Sequence, residues 1–356
     1  MTVKLRDAMA SLPAYVPGRK VPGAVVLASN ESPYGLLPSV AAVLAERTVG
    51  VSRYPDMVST ELIAAIAAHH GVDPERVAVG AGSVEVCGQL AAAVVDDGAE
   101  AVFGWRAFEA YPIITAVAGG AAVKVPLDEG HVHDVDAMLA AVTDRTRLVF
   151  LCNPNNPTGT AVGRDELLRL ADGLPPQVLL VVDEAYREYV DPAKVPDAFE
   201  LLGDRPNVAI TRTFSKAYAL AGLRVGYCLA APDVASAVRK CQVPFSVSGL
   251  AQAAAIAALG EREEVLRRAK LTIAERDRVR ASLLEAGYDV PPSEANFVWL
   301  PLGESSQDFA AACLAEGIVV RPFAGEGVRV TIGTDAENDA FLAAAVRWRR
   351  SATDQG

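Results

Sequence analysis

Residues 213–227 read TFSKAYALAGLRVGY and closely follow the apolar run at 208–210. The segment places Lys216 beside serine and threonine hydroxyls, and Arg224 stands eight residues further on. Hydroxyl and guanidinium groups bind phosphate well. A lysine that is removed from water and lies near cations loses its proton, and the neutral amine can form Schiff bases. The segment therefore predicts a reactive amine beside a phosphate site, although a surface turn is the common alternative for a Ser-Lys pair.

In both directions from this segment, short apolar runs such as VAVG, RLVFLC and VLLVV alternate with helical patterns. Such alternation predicts an α/β fold with a mostly parallel central sheet covered by helices. Beyond Pro244 come long helical patterns and then NFVWLPL, GIVVRPF and GVRVTIGT, which predict a smaller α+β domain. We therefore predict an N-terminal arm with part of the small domain at 1–47, a large domain with the ligand site at 48–245, and a small C-terminal domain at 246–356.

The N-terminal part of the chain predicts turns followed by two helices. VPGRKVPG at 16–23 carries two Pro-Gly turns. Ser39 is a candidate N-cap for a helix that ends near Arg47. Ser59 or Thr60 is a candidate N-cap for the helical pattern ELIAAIAAHH that follows.

The composition of the 356 residues argues against several classes of protein. A hydrophobic share of 51% and a charged share of 22% are typical of a globular chain. The net charge of −11 argues against a nucleic-acid partner, which requires a basic surface. The five cysteines form no Cys-x-x-Cys pair, so we expect free thiols in a reducing compartment. We expect a cytoplasmic location and no membrane contact, because no apolar run has the form of a signal peptide or the length of a membrane span.

Polar motifs follow further predicted strands, and ligands of open α/β sheets bind beyond the carboxyl ends of strands. After VAVG, Gly82 and Ser83 open a helix, where small residues and the helix N-terminus favour an anion. An ordinary turn with a serine N-cap is the alternative. The same stretch, GAGSVE, partly matches a dinucleotide fingerprint, but Glu85 replaces the third glycine and Glu100 precedes the next strand instead of following it.

Two more strand ends carry groups suited to a heteroaromatic ligand. NPNNPTG at 153–159 forms either a rigid loop that presents side-chain amides or a plain tight turn. Asp183 follows VLLVV, and a carboxylate at the buried end of an apolar strand is unfavourable unless a cation pairs with it. A protonated pyridine nitrogen is such a cation, whereas a helix cap is the alternative. In this order the motifs predict one ligand, a phosphorylated aldehyde with a pyridine ring.

NPNNPTG, DEAY at 183–186 and TFSKAYALAGLRVGY closely resemble segments of pyridoxal-phosphate-dependent enzymes with the aspartate-aminotransferase fold. FGWRAFEAYP, ANFVWLPL and GVRVTIGT resemble the histidinol-phosphate aminotransferase branch, and within it the aromatic-amino-acid (phenylalanine) aminotransferases. The resemblance covers nearly the whole chain. It implies pyridoxal 5'-phosphate as cofactor and transfer of the amino group of phenylalanine, tyrosine or tryptophan to 2-oxoglutarate by a ping-pong mechanism.

The resemblance also implies roles for residues at matching positions. Lys216 forms the Schiff base with the cofactor and moves a proton at the substrate Cα. Asp183 pairs with the pyridine nitrogen. Asn156 and Tyr186 hydrogen-bond the phenolic oxygen of the ring, and Asn156 also contacts the substrate. The residues implied to bind the phosphate, or to contact the cofactor beside it, are Gly82, Ser83, Val84, Thr213, Ser215 and Arg224.

Other matching positions concern the substrate and the cofactor ring. Phe108 stacks on the pyridine where the family usually has a tyrosine; core packing is the alternative, because Trp105, Phe108 and Tyr111 recur at a spacing of three. Arg329 matches the arginine that clamps the α-carboxylate of the substrate. Arg321 is a weaker candidate, which supports either Arg329 or the loop.

Two N-terminal positions imply contacts beyond the central sheet. Asn30 lies in a segment that covers the substrate in this family. Tyr54, in SRYPD, matches a tyrosine that reaches the cofactor phosphate of the neighbouring subunit. The resemblance therefore implies a homodimer with shared active sites.

The sequence leaves several alternatives open. Histidinol phosphate is the nearest alternative substrate, since the shared motifs concern the cofactor. Decarboxylation or elimination with the same cofactor, a nucleotide-dependent oxidoreductase and a non-catalytic regulator are further alternatives. No metal is expected, because we place the histidines at the surface or at helix ends: His69, His70, His131 and His133.

Overall fold

The computed structural model describes residues 3–4, 6, 12 and 21–353. The first predicted Pro-Gly turn and most of the predicted N-terminal arm before residue 21 lie outside the described residues. The second Pro-Gly pair lies inside them and forms a turn at 22–23.

The described residues form twelve β-strands, and seven of these make one large sheet. The strands are β1 (Val25–Val26), β2 (Val77–Gly80), β3 (Glu100–Trp105), β4 (Ala121–Pro126), β5 (Thr146–Cys152), β6 (Leu179–Asp183), β7 (Val208–Thr213), β8 (Gly226–Ala230), β9 (Phe297–Leu300), β10 (Ile318–Val319), β11 (Arg321–Phe323) and β12 (Gly327–Thr331). The large sheet has the order β2-β8-β7-β6-β5-β3-β4, and neighbours from β7 to β4 run parallel. The predicted α/β fold with a mostly parallel sheet is therefore confirmed.

Strand β8 is the exception, because it runs antiparallel to both β7 and β2. The chain returns from β7 to β8 through residues 214–225, whose described backbone holds only a short 3₁₀ turn, Ala221–Leu223. A parallel return requires a longer crossover over one face of the sheet. The sequence pattern did not indicate this change of direction.

The described residues also form twelve α-helices. They are α1 (Pro38–Arg47), α2 (Thr60–His70), α3 (Ser83–Val94), α4 (Ala110–Ala118), α5 (Val135–Ala140), α6 (Arg164–Gly173), α7 (Ala198–Leu202), α8 (Pro232–Cys241), α9 (Gly249–Leu259), α10 (Arg262–Glu285), α11 (Ser306–Ala315) and α12 (Asp335–Thr353). The long helical pattern after residue 249 divides into the pair α9 and α10. The sequence analysis missed α7 and α8; α8 begins at a proline, which suits the first turn of a helix, and buries Ala235 and Val238.

A second, antiparallel sheet has the order β11-β12-β9 and packs on its own apolar cluster, which includes Phe309 and Val330. Its central strand β12 places Arg329 opposite Arg321 of β11. β1 pairs in parallel with β10, and Thr331 N donates to the carbonyl of Leu27 at 2.9 Å. These bonds hold the segment that follows β1 beside the small sheet.

One predicted helix cap is wrong, and a second is confirmed in position but makes no cap bond. Ser39 is the second residue of α1, and the N-cap position is Leu37, which makes no side-chain cap bond. Ser59 is the N-cap residue of α2, as predicted, but it has a φ of 56° and makes no side-chain cap bond. Asp56 caps α2 instead, since its carboxylate accepts from Thr60 N at 2.6 Å and from Val58 N at 3.0 Å, and these bonds lower its pKa. An aspartate four residues before the helix satisfies a free amide that a serine was expected to satisfy.

Apolar clusters lie on both faces of the large sheet, as the near-continuous apolar strands require. A further cluster contains residues from both sides of the predicted domain boundary at 245, such as Phe214 and Ala254. The division of the chain at residues 47 and 245 stays a prediction.

Candidate active site

A cavity of about 300 Å³ lies where the carboxyl ends of β5, β6 and β7 face the small sheet. It is lined by most of the residues that the sequence analysis singled out. Those that line it are Asn30, Ser83, Val84, Phe108, Asn156, Asp183, Tyr186, Thr213, Ser215, Lys216, Arg224, Arg321 and Arg329. The structure thus brings together side chains that are up to 299 residues apart in the chain, from Asn30 to Arg329.

Lys216 lies in the loop after β7, and its Nζ donates to the carbonyl of Ser29 at 3.2 Å. Burial, together with the guanidinium groups of Arg329 and Arg224, lowers the pKa of Lys216 to about 7. An amine with that pKa is roughly half neutral at pH 7, so a substantial fraction can act as a nucleophile and as a base.

Asp183 ends β6 and is 3% exposed. Its two carboxylate oxygens accept hydrogen bonds, one from Tyr111 Oη at 2.8 Å and one from Thr211 Oγ1 at 3.0 Å. Burial raises the pKa of Asp183, whereas these two hydrogen bonds lower it. The hydroxyls therefore favour the ionised carboxylate that a pyridinium partner needs.

Tyr111 is the functional residue that the sequence analysis missed, because its spacing from Phe108 was attributed to packing. The ring of Tyr111 does pack as expected, because it stacks on Phe150 at 4.5 Å and meets Phe108 edge-on at 5.6 Å. Its hydroxyl, however, donates to Asp183. In the sequence, Asp183 itself indicated that a partner exists, because a buried carboxylate needs hydroxyl or amide donors. Which donor serves Asp183 could not be predicted, because 72 residues separate Tyr111 from Asp183.

One end of the cavity is a cradle for an anion. Gly82 precedes α3 with a φ of 83°, and a side chain there would collide with the guanidinium of Arg224. Arg224 Nη1 donates to Ser215 Oγ at 3.4 Å, and Thr213 Oγ1 donates to the same oxygen at 3.0 Å. Two hydroxyls, a guanidinium and a helix N-terminus in one place are suited to an anion such as a phosphate.

Glu85 explains the broken glycine pattern at this turn. Its carboxylate accepts a hydrogen bond from the backbone amide of Ala81, which lies two residues before the start of α3. A carboxylate in the first helical turn is also favoured by the helix dipole. The turn therefore uses a glutamate where a dinucleotide fingerprint uses glycine.

The wall opposite the large sheet is a connected polar network around Arg329. Arg329 donates from Nη1 to Asn156 Oδ1 and from Nη2 to the carbonyl of Ala28, both at 2.6 Å. Asn156 thus accepts through its oxygen, and its Nδ2 is the group that can donate to a ligand. Asn30 Nδ2 donates to Tyr186 Oη at 2.9 Å, and this bond connects the segment that follows β1 with the DEAY motif.

Arg321 lies at the outer part of the cavity and pairs with Glu109, Nη2 to Oε2 at 2.9 Å. A neighbouring ion pair joins Arg106 to Glu326, and the Arg106 guanidinium lies 4.4 Å from the ring of Trp105. Both ion pairs connect the segment after β3 with the small sheet. The sequence analysis identified Arg321 but neither carboxylate partner.

Tyr54 is the predicted site residue that this chain does not bring into the cavity. Its side chain is 83% exposed and stacks on Phe245 at 4.7 Å. Other apolar side chains close in the chain to Tyr54 or to Phe245 are also exposed: Val49, Val51, Met57, Val58 and Val243.

Beneath the site, a buried ion pair connects β7 with the DEAY motif. Arg212 donates to Glu184 Oε2 at 2.6 Å and to Asp197 Oδ1 at 2.7 Å. Glu184 is 2% exposed. Because side chains alternate along a strand, this pair lies on the opposite side of the sheet end from Asp183 and Thr211.

The expectation for the histidines is wrong for His133, which is 4% exposed. Its Nε2 lies 3.0 Å from the carbonyl oxygen of Cys152, and burial lowers its pKa to about 4. A neutral imidazole that donates to a buried carbonyl packs like any other core side chain. Within the described ranges, no three histidine, cysteine or acidic side chains are grouped as they would be around a metal.

Residues 22–345 match the family model Aminotransferase class I and II, and the chain belongs to this family. It is 56% identical over 345 residues to the aromatic amino acid aminotransferase of Thermobifida fusca (strain YX), covering 96% of each chain. It is 54% identical over 345 residues to the aromatic amino acid aminotransferase of Rhodococcus jostii (strain RHA1), covering 97% of this chain and 96% of that one.

A similar solved structure is that of histidinol-phosphate aminotransferase from Sinorhizobium meliloti in complex with pyridoxal-5'-phosphate. It has a TM-score of 0.90 and 32% sequence identity, and the match covers 99% of each chain. The predicted family and fold are confirmed, and the dinucleotide interpretation of GAGSVE has no support. No helix in the described part of the chain has the length and apolar character of a membrane span.

Proposed function

We propose that this protein is a pyridoxal-phosphate-dependent aminotransferase that moves the amino group of phenylalanine, tyrosine or tryptophan to 2-oxoglutarate. The observation that carries the proposal is the cavity itself. It combines a lysine whose pKa is lowered to about 7, a buried carboxylate, and an anion cradle of hydroxyls and arginine around one space of about 300 Å³.

The residues present fit pyridoxal phosphate. Ser215, Thr213, Arg224 and the N-terminus of α3 suit its phosphate, and the space that a side chain at Gly82 would need is filled by Arg224. Asp183, whose two oxygens accept from the hydroxyls of Tyr111 and Thr211, suits a protonated ring nitrogen. When bound, the cofactor supplies an aldehyde carbon and a ring that takes up the electron pair of the substrate Cα–H bond.

The chain's own residues provide binding, orientation and proton transfer. Lys216 Nζ takes the proton that leaves the substrate Cα, and its low pKa allows it to accept and return a proton near neutral pH. Arg329 is held by Asn156 and the carbonyl of Ala28, so its planar guanidinium is oriented for the α-carboxylate. Phe108 provides the ring that packs on the flat cofactor face.

The aromatic substrate class is supported by the walls of the cavity and by the relatives. Phe108 and Phe323 line the cavity, together with Val84, Ala28 and Ala107. The relatives of 53 to 56% identity carry the name aromatic amino acid aminotransferase, whereas the name histidinol-phosphate aminotransferase is carried by a structure of 32% identity. Histidinol phosphate remains the second candidate because Arg321, a possible phosphate partner, also lines the cavity.

A homodimer with shared active sites belongs to the same proposal. Tyr54 and Phe245 form an exposed aromatic stack within an exposed apolar surface. Such a surface suits burial against a second copy of the chain. In that dimer Tyr54 extends the phosphate site of the partner subunit. A cytoplasmic location is supported by the five cysteines, all described and all unpaired.

Product analysis tests the reaction. Purified protein with phenylalanine, 2-oxoglutarate and pyridoxal phosphate is expected to form phenylpyruvate and glutamate in a ratio of one to one. Parallel lines in double-reciprocal plots are expected from the ping-pong order. Release of carbon dioxide or ammonia in place of glutamate would show decarboxylation or elimination and overturn the proposal.

A further inference from the structure

Asn30 is a buried polar residue that connects the small sheet with the hydroxyl of Tyr186. Both residues line the cavity, and they are 1% and 3% exposed. Asn30 Nδ2 donates to Tyr186 Oη at 2.9 Å. The backbone of Asn30 has a φ of 55°, which is uncommon for a residue with a side chain but is tolerated by asparagine. An unusual backbone conformation therefore presents this amide to Tyr186.

Thr331 of β12 determines which end of the Asn30 amide faces Tyr186. Thr331 Oγ1 accepts from Asn30 N at 2.9 Å and donates its own proton to Asn30 Oδ1 at 3.2 Å. With the amide turned round, the buried hydroxyl of Thr331 would have no acceptor for its proton within the described part of the chain, which is unfavourable. The nitrogen of the amide therefore faces Tyr186, and it can only donate.

The Tyr186 hydroxyl accepts from Asn30, so its own proton is available for a different acceptor. Among the described residues no side chain or carbonyl accepts this proton, and Tyr186 lies in the wall of the cavity. Burial raises the pKa of Tyr186, whereas the charge of Arg329 and the bond from Asn30 lower it. The hydroxyl thus keeps its proton at neutral pH, and the bond that it accepts makes it a stronger donor.

We infer that Asn30 is a positioning residue that directs the proton of the Tyr186 hydroxyl into the cavity, towards the phenolic oxygen of bound pyridoxal phosphate. The inference rests on the proposed function. A hydrogen bond to that oxygen is stronger when the Schiff base with Lys216 is unprotonated, because the imine proton then no longer shares the negative charge of the oxygen. Asn30 therefore lowers the pKa of the Schiff base, and it does so through Tyr186.

Asn296 provides a matched control. Its Nδ2 donates to the carbonyl of Asn30 at 3.1 Å, so it holds the same segment of chain. Asn296 is buried and is not one of the described residues that line the cavity. Asn296→Ala removes this support and leaves the Asn30 amide beside Tyr186. Asn30→Gly removes the amide itself without backbone strain, because glycine adopts a positive φ freely. Neither substitution changes the net charge.

The experiment measures the pKa of the Schiff base by absorbance titration of the holoenzyme, in the wild type, Asn30→Gly, Tyr186→Phe, Asn30→Gly/Tyr186→Phe and Asn296→Ala. Tyr186→Phe is expected to raise this pKa by about one unit, since a hydrogen bond to a charged oxygen is lost. Asn30→Gly is expected to raise it by roughly half as much, because the hydroxyl remains but is no longer oriented.

The other two variants test whether Asn30 acts through Tyr186. In the Tyr186→Phe background, loss of Asn30 is expected to add less than about 0.2 units, because the hydroxyl that it orients is absent. Asn296→Ala is expected to shift the pKa by less than about 0.2 units as well. Thermal unfolding of each variant shows that it is folded. If Asn30→Gly does not fold, Thr331→Val takes its place, because it releases the Asn30 amide to turn round, and a rise in the pKa is again expected.

Three outcomes overturn the inference: no rise of the Schiff-base pKa in folded Asn30→Gly or its substitute, an equal rise in Asn296→Ala, or a rise that persists in full without the Tyr186 hydroxyl. Failure of the proposed function looks different. The wild type then forms no Schiff base with pyridoxal phosphate, or it forms one but produces no phenylpyruvate from phenylalanine.

Discussion

The polar groups at the inner end of the cavity are more deeply buried than the ion pairs at its outer end. At the inner end, Asp183 is 3% exposed and bonded by Tyr111 and Thr211, over a buried pair of Arg212 and Glu184. At the outer end, the ion pairs have side chains that are 17 to 35% exposed. Buried polar groups are costly to leave unpaired, whereas exposed pairs contribute little to stability. The inner end therefore fixes the chemistry, and the outer end is free to change with the substrate.

The largest effect is expected at Lys216. Lys216→Ala removes both the amine that holds the cofactor and the base at the substrate Cα, so kcat for phenylalanine is expected to fall about 10⁴-fold or more. Steady-state rates check this, with Lys240→Ala as control, because Lys240 is an exposed lysine of α8. Near-normal turnover of Lys216→Ala would end the assignment.

Breaking the buried ion pair of Arg212 and Glu184 tests whether the inner end contributes more to the free energy of unfolding than the outer end. Glu184→Gln leaves Arg212 with less charge compensation in a buried place, so the free energy of unfolding is expected to fall by about 3 kcal/mol. Glu326→Gln at the outer end is expected to change it by less than about 1 kcal/mol. Urea unfolding of both variants gives the comparison. Equal losses would contradict the difference between the two ends.

Tyr111→Phe keeps the ring that packs on Phe150 and removes only the hydroxyl that donates to Asp183. Hydrogen bonds to charged groups contribute about 1.5–3 kcal/mol, so pyridoxal phosphate affinity is expected to drop roughly 10- to 100-fold. Equilibrium dialysis measures this. Tyr288→Phe is the control, because its hydroxyl donates to the carbonyl of Ala345 in the cluster under the small sheet. The same affinity loss in both variants would show a general packing effect.

The lowered pKa of Lys216 predicts a pH dependence. Protonated amine does not react with an aldehyde, and the pKa of Lys216 is about 7. The rate at which cofactor-free protein takes up pyridoxal phosphate is therefore expected to rise up to about tenfold per pH unit below 7 and to level off above it. Stopped-flow absorbance follows the uptake. A rate that still rises steeply between pH 8 and 10 would show an unshifted lysine.

The sequence predicted the inner end of the cavity well because its polar residues follow apolar strands directly. Lys216, Asp183 and Asn156 all stand at or just beyond strand ends, and parallel strands bring such ends together. The order of apolar strands and polar residues therefore predicted that these three residues lie at the same edge of the large sheet. The residue pattern predicted a reactive amine at Lys216 and a cation partner for Asp183, and the resemblance added the role of Asn156; all three roles stay predictions.

What the sequence could not predict depends on contacts between distant segments. Tyr111 and Asp183 are 72 residues apart, and Glu109 and Arg321 are 212 apart. Neither partner is marked by its neighbours in the chain. The same limit explains β8, whose direction depends on how its neighbours pair, and His133, which is buried against Cys152.

The cavity is expected to combine the chemistry of an aminotransferase at its inner end with a preference for an aromatic donor. The most direct measurement is kcat/KM of the wild type for phenylalanine and for histidinol phosphate, with 2-oxoglutarate as acceptor. Phenylalanine is expected to be preferred by more than about tenfold, because apolar side chains such as Phe323 and Ala107 line the cavity. A preference for histidinol phosphate, which carries a phosphate ester in place of the α-carboxylate, would contradict the aromatic assignment.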